Sequence, residues 1–205
     1  MSSTKRNKER LSTPDYYVTP VPAIKEFLHA FYATHNEVIA RNHFIPFEER
    51  PLRILDPCAG GDATHEMSYP TAIQEYGFPQ INRLFTIDIR QDSKAEFKGD
   101  FLTADIDKGY YDVIITNPPF NIALDVIKRS LDIVKYGGLV IMLLRLNFFG
   151  SQGRKEFFQK YIPVATYVHS KRMKFSDNTQ GDSIEYMHAV WQKGGYPKFS
   201  KLCVI

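Results

Sequence analysis

Four short segments combine residue types that bind or react with residue types that end strands. YDVIIT (111–116) is a run of β-branched and apolar residues that stops at Asn117, Pro118, Pro119 and Phe120. Neither proline has an N–H to give to a sheet, and each also restricts the residue before it. The strand therefore ends in a stiff loop that offers an amide side chain, an outward carbonyl and the flat face of Phe120. RILD (53–56) ends in Asp56 and runs into Pro57, Cys58, Ala59, Gly60 and Gly61, where the glycine pair permits a sharp turn and close approach to a ligand. LFTIDI (84–89) carries Asp88 near its tip, followed by Ile89, and KGDFL (98–102) supplies Asp100 and Phe101 where a further strand would end. A carboxylate accepts from two adjacent hydroxyl groups, so acids at successive strand tips suit the ribose of a nucleoside-type ligand. A dinucleotide is disfavoured, because no GxGxxG is present and Asp62 after the glycine pair would repel a diphosphate. Taken singly, the glycine pair is equally an ordinary strand-to-helix turn, and any one of the three acids is equally a helix cap; it is the ordered set that points to binding.

These tips have to be held by a scaffold. RILD, LFTIDI, YDVIIT and LVIMLLRL (139–146) are short apolar runs separated by stretches of helical spacing, which is the pattern of a parallel sheet covered on both faces. Ile24, Phe27, Leu28 and Phe31, then Val38 and Ile39, predict a helix from Pro22 to about Arg41. Leu124, Ile127, Leu131 and Val134 predict another over Asn121 to Tyr136, with Gly137-Gly138 as its stop. Phe157–Tyr161 reads as helix, while VATYVHS (164–170) and EYMHAVWQK (185–193) read as an antiparallel strand pair at the sheet's edge, with Trp191 in the core. The expected fold class is α/β: a mostly parallel sheet with an antiparallel edge strand and helices on both faces. In such sheets ligands bind beyond the carboxyl ends of the strands, where the chemistry-bearing residues lie.

A chain of 205 residues with 43% apolar and 24% charged content suits one packed domain. Residues 1–14, with Lys5, Arg6, Lys8 and Arg10 and no periodicity, read as a flexible basic tail, leaving 15–205 as a single domain without a large separate recognition domain. The formal charge of +3 does not by itself imply a polyanionic partner. Cys58 and Cys203 stand far apart without metal-type spacing, and His29, His35, His43, His65, His169 and His188 form no ligand pattern, so no metal is expected. The polar start and the lack of a long apolar run predict no membrane segment and a cytoplasmic protein.

DPCAGGDA, TIDIR, KGDFL and TNPPF, in this order and spacing, resemble the motifs of S-adenosylmethionine-dependent amino-methyltransferases, with NPPF matching the signature of DNA adenine-N6 enzymes. DYYVTP (15–20), with Tyr17, Thr19 and Pro20, resembles the segment that folds over the methionine end of the cofactor in those enzymes. LRLNFFGSQGR (144–154), SKRMKF (170–175) and GDSIEYMHAVW (181–191) are similar to stretches of phage-encoded DNA adenine methyltransferases, which implies a bacterial host cell. The resemblance implies a Rossmann-like class I methyltransferase sheet, S-adenosylmethionine held by the strand-tip residues named above and by Asn117, and catalysis at Asn117, Pro118, Pro119 and Phe120. Asp62 stands where these enzymes usually place a second spaced glycine.

An adenine in a duplex has to be flipped out to reach such a loop, and contacts to DNA must offset the few kcal/mol this costs. Arg145, Arg154, Lys155, Lys171, Arg172 and Lys174 cluster where acids are sparse and are the candidates, although a solvated basic face has the same composition. Phe148, Phe149 and Phe175 could add a stacking face or fill the core. Two other readings share the motifs: a methyltransferase acting on RNA or a protein glutamine, and a non-catalytic nucleic-acid-binding module of the same fold.

Overall fold

In a computed structural model, residues 17–38, 51–77, 81–175 and 183–205 are described. The chain runs α1 (Val21–Val38), β1 (Leu52–Asp56), α2 (Ser68–Tyr76), β2 (Ile81–Asp88), β3 (Phe97–Lys98), β4 (Val113–Thr116), α3 (Ala123–Ile133), β5 (Leu139–Arg145), α4 (Lys155–Lys160), β6 (Ala165–Val168), β7 (Tyr186–Gln192) and β8 (Lys201–Val204). The strands form one sheet in the order β3-β2-β1-β4-β5-β7-β6-β8. All neighbours are parallel except β7, which runs antiparallel to both β5 and β6.

Alternation along the central strands divides the core in two. Leu55, Ile114, Val140 and Met142 face α3, where Val126, Ile127 and Leu131 cover them. Ile54, Val113, Ile115 and Ile141 face the other way, onto Ile24, Phe27 and Phe31 of α1 and Ala72 and Ile73 of α2. Because both faces are covered, β4 is buried at every position and β5 at all but its last, and a period of two is invisible in their sequence. Burying apolar surface at roughly 25 cal/mol per Å² makes these two layers the main stabilising contribution.

Several expectations change. The expected antiparallel pair is present as β6 and β7, and β8, which was not foreseen, adds outside β6: at KLCV only Cys203 is not exposed, so no clear pattern marks it. The α3 helix stops at Ile133, with Val134 extended, before the two glycines. Those glycines instead turn the chain into β5: Gly137 has φ +78°, and a Cβ on Gly138 would lie 2.7 Å from the Asp112 carbonyl oxygen. The stretch 68–70 opens α2. The 1–14 tail and residues 39–41 of the first expected helix lie outside the described residues.

Between the α1/α2 layer and the sheet, a chain of polar side chains is closed within the core. The Tyr69 hydroxyl meets His188 Nε2 at 3.0 Å, and His188 Nδ1 meets His169 Nε2 at 2.8 Å. Phe27 stacks on the His188 ring at 4.1 Å, and Glu26 lies 3.9 Å from His169 Nδ1. Burial holds His169 down to about 4, and burial and the neighbouring His169 hold His188 well below the ordinary range. Both rings bind protons more weakly folded than unfolded. Their stabilising contribution is therefore complete above about pH 6.5 and is lost as the pH falls toward 4. Between pH 7 and pH 5, a His169→Gln variant is expected to lose about 2 kcal/mol less stability than the parent, measured by urea unfolding at each pH.

Candidate active site

The sheet order reverses direction between β1 and β4, and the loops leaving their tips diverge to opposite sides. A cavity opens there, at the carboxyl ends of the strands. Of the residues singled out in the sequence, Tyr17, Thr19, Pro57, Cys58, Ala59, Gly60, Asp88, Ile89, Asp100, Phe101, Asn117, Pro118 and Pro119 line it. Pro20, Asp56 and Phe120 stand outside the lining.

Asp56 lies beneath the cavity, fully buried, and joins two strand tips. Its Oδ1 accepts from the Thr116 hydroxyl at 2.6 Å and from the Cys58 N–H at 3.3 Å, while Oδ2 has no partner. Burial pushes this carboxyl up to about 7, partly offset by those two donors. Asp88 organises the next tip. Its Oδ2 accepts from the Gly60 N–H at 2.7 Å and its Oδ1 from the Arg90 N–H at 2.8 Å, leaving one further lone pair on each oxygen for hydroxyl donors. The glycine loop is tied down on its other side by Ala59 N–H to the Ile87 carbonyl at 3.0 Å and by the Ser93 hydroxyl to the Gly60 carbonyl. A Cβ at Gly61, where φ is +74°, would lie 2.9 Å from Met67 Cγ, so only glycine closes this turn without displacement. Asp62 points into its own turn: its carboxylate accepts from Thr64 and His65, which holds it well below the usual carboxylate range.

Asp100 follows the two-residue strand β3, lines the cavity and takes the Leu102 N–H on Oδ1 at 2.9 Å, a local turn. The Asn117 side chain is oriented by its amide nitrogen, which donates to the Thr19 hydroxyl at 3.0 Å. Its Oδ1 is buried without a partner. Thr19, at 2% exposed, brings the segment before α1 against the β4 tip, so residues almost a hundred positions apart fix one amide.

The expected open stacking face at Phe120 carries another group. The Arg145 guanidinium lies over this ring at 4.4 Å, and Tyr17 and Tyr186 stand 6.0 and 5.8 Å from it. Phe148 and Phe175 belong to the core. The basic candidates are not gathered into one surface by contacts: Arg154 donates to the Phe148 carbonyl at 2.7 Å and covers that ring, Lys171 reaches Glu26 at 3.4 Å, and Lys155, Arg172 and Lys174 are exposed.

The cavity also uses Ser68, Tyr69, Arg90, Gly99, Leu102, Ile122 and Val126, which sequence reading missed. Ile122 and Val126 were legible, since they sit four apart at the start of the helix behind NPPF. Ser68 and Tyr69 were hidden because the start of α2 has no capping side chain to announce it. Among the described residues there is no group of three potential metal ligands and no helix long and apolar enough to cross a membrane.

Replacing Thr116 with Val removes the one side-chain donor to a fully buried carboxyl. The Thr116→Val variant is expected to be about 1–3 kcal/mol less stable than the parent in urea unfolding at pH 8, where Asp56 is ionised, and closer to it at pH 6.

No known protein-family profile matches the chain, and no curated protein matches it in sequence. Solved structures do match. A protein from Listeria monocytogenes described as a candidate class I S-adenosylmethionine-dependent methyltransferase aligns with a TM-score of 0.63 at 15% identity over 92% of this chain. This chain covers 65% of that protein's length. A candidate RNA methyltransferase from Pyrococcus horikoshii gives 0.57 at 14% identity over 88% of this chain and 87% of its own. A predicted O-methyltransferase from Agrobacterium tumefaciens gives 0.51 at 13% identity over 82% and 81%. The chain has the fold of the class I S-adenosylmethionine-dependent methyltransferases.

Proposed function

We propose that this protein transfers a methyl group from S-adenosylmethionine to the N6 amine of an adenine in DNA. The observation that carries the reading is the Asn117 amide: Nδ2 spent on Thr19, Oδ1 buried and unpaired, at the tip of the strand beside the cavity. A buried acceptor without a donor costs about 1–3 kcal/mol, which a ligand carrying N–H groups at that point would relieve.

The residues fit the cofactor. Asp88 keeps two free lone pairs for ribose hydroxyls, Asp100 and Phe101 suit the polar edge and flat face of an adenine, and the Gly60-Gly61 turn admits close backbone approach. When bound there, S-adenosylmethionine supplies an electrophilic methyl on a sulfonium. The protein's task is to make the acceptor nitrogen nucleophilic. An exocyclic amine conjugated to a ring has its lone pair delocalised; two acceptors on its hydrogens, Asn117 Oδ1 and the Pro118 carbonyl, favour the tetrahedral nitrogen whose lone pair points outward. Pro118 is buried and both prolines lack N–H groups, so the loop holds that carbonyl in place without a competing donor of its own. The product nitrogen is cationic and acidic, so no residue needs a shifted pKa to take its proton.

The test is methyl transfer from radiolabelled cofactor to unmethylated DNA, RNA and mixed protein, with digestion of the product to nucleosides. Label is expected as N6-methyladenine from DNA, with Asn117→Ala lowering kcat about 10²–10³-fold. Label only in RNA or in protein glutamine would transfer the same chemistry to that substrate. S-Adenosylmethionine at a hundred times its Kd is expected to raise stability by about 2.7 kcal/mol in thermal unfolding; no shift would favour a non-catalytic module.

A further inference from the structure

Among the described residues the cation beside the NPPF loop has no counter-ion. Arg145 ends β5, half-buried, with its guanidinium stacked on Phe120 and its Nε buried without a hydrogen-bond partner. Among the described residues no carboxylate pairs with it. Several other cations are matched locally: Lys25 with Glu75, Arg83 with Glu96, Lys94 with Glu66, and Lys108 with Asp132. Removing a guanidinium partly from water without a compensating charge is costly unless an anion completes the site.

Its surroundings are arranged for a chain of anions rather than one. The segment after β6 alternates, with Met173 and Phe175 buried against Tyr186 and Leu143 and with Arg172 and Lys174 exposed. Phe175 stands 5.0 Å from Tyr186 and 5.5 Å from Tyr17, ring to ring, and both of those contact Phe120. The same aromatic cluster therefore sets Arg145 on one side of the NPPF loop and has the exposed cations Arg172 and Lys174 on the segment that contributes Met173 and Phe175.

We propose that Arg145 binds the backbone phosphate next to the nucleotide that receives the methyl group, so that the acceptor of the Asn117 site is part of a polynucleotide. The proposal rests on the reading above and names one contact within it: with the guanidinium over Phe120 and its Nε buried, the terminal N–H groups are the donors left for the phosphate oxygens. A free nucleoside or a glutamine side chain would offer this cation hydrogen-bond acceptors but no negative charge. The occupant is a phosphodiester, in DNA or in RNA, and the two are separated by the acceptor used.

The experiment uses duplex oligonucleotides in which the phosphate on either side of the target adenosine is replaced, one at a time, by an uncharged methylphosphonate, with DNA and RNA versions. Binding is read across a salt series for the parent, Arg145→Ala and Arg145→Lys. For the parent, one methylphosphonate position is expected to weaken binding about tenfold; for Arg145→Ala the same replacement is expected to change nothing, and the salt slope is expected to fall by about one. Arg145→Lys keeps the charge and is expected to keep the slope. A merely structural Arg145 would leave Arg145→Ala as sensitive to the methylphosphonate as the parent, which overturns the proposal while leaving methyl transfer standing. A parent that labels protein glutamine and no polynucleotide would overturn both, and thermal unfolding of each variant identifies any that fails to fold.

Discussion

The hydrogen bond from the Thr116 hydroxyl to the Asp56 carboxylate joins the tips of β1 and β4, the two strands between which the sheet order turns. The glycine loop starts one residue beyond Asp56, and the NPPF loop starts one residue beyond Thr116. Fixing one pair of atoms thus fixes the separation of the two loops that bound the cavity. Because Asp56 is wholly buried, the bond is made in a medium where it is strong and where its loss leaves a charge unserved. Asp88 repeats the device one strand further out, with the Gly60 N–H in place of a hydroxyl.

The site is also closed in depth. Asn117 takes its orientation from Thr19, and Thr19 belongs to the segment leading into α1 rather than to the sheet. The amide therefore reports on whether that segment is docked. Tyr17, two residues earlier, is 39% exposed and meets Phe120 and Phe175, so the same segment contributes to the cavity wall and to the aromatic cluster beside it.

Much of this was legible in the sequence, and for a definite reason. In a parallel sheet with both faces covered, the strands are apolar throughout, and the only polar or turn-forming residues near them stand at their ends. Asp56, Asp88, Gly60 and Asn117 were conspicuous on that account. What was not legible came from contacts distant in sequence. Nothing in DYYVTP shows that Thr19 holds Asn117, and nothing in LVIMLLRL shows that Arg145 lies over Phe120. Charge counting placed Arg145, Arg154 and Lys171 together, whereas packing gives each a different partner: an aromatic ring of the NPPF loop, a backbone carbonyl and a glutamate of α1. The antiparallel pair containing β7 was legible, but not its pairing with β5. The composition of β7 marks a buried strand and carries no information about which neighbours it separates.

The reversed direction of β7 has an architectural consequence. A strand running against its neighbours has its entrance, not its exit, at the cavity end of the sheet, and the pairing of Arg145 with Tyr186 locks that entrance in register. The connection from β6 to β7 consequently begins and ends beside the aromatic cluster while its anchors are set by strands on either side. For any connection held at its two ends, doubling the length costs only about 0.6 kcal/mol in closure entropy. The β1 and β4 side of the sheet, by contrast, has its loops tied by bonds from tip to tip. The sheet is thus divided into a side whose loop separation is fixed and a side whose strands set only where a connection starts and stops.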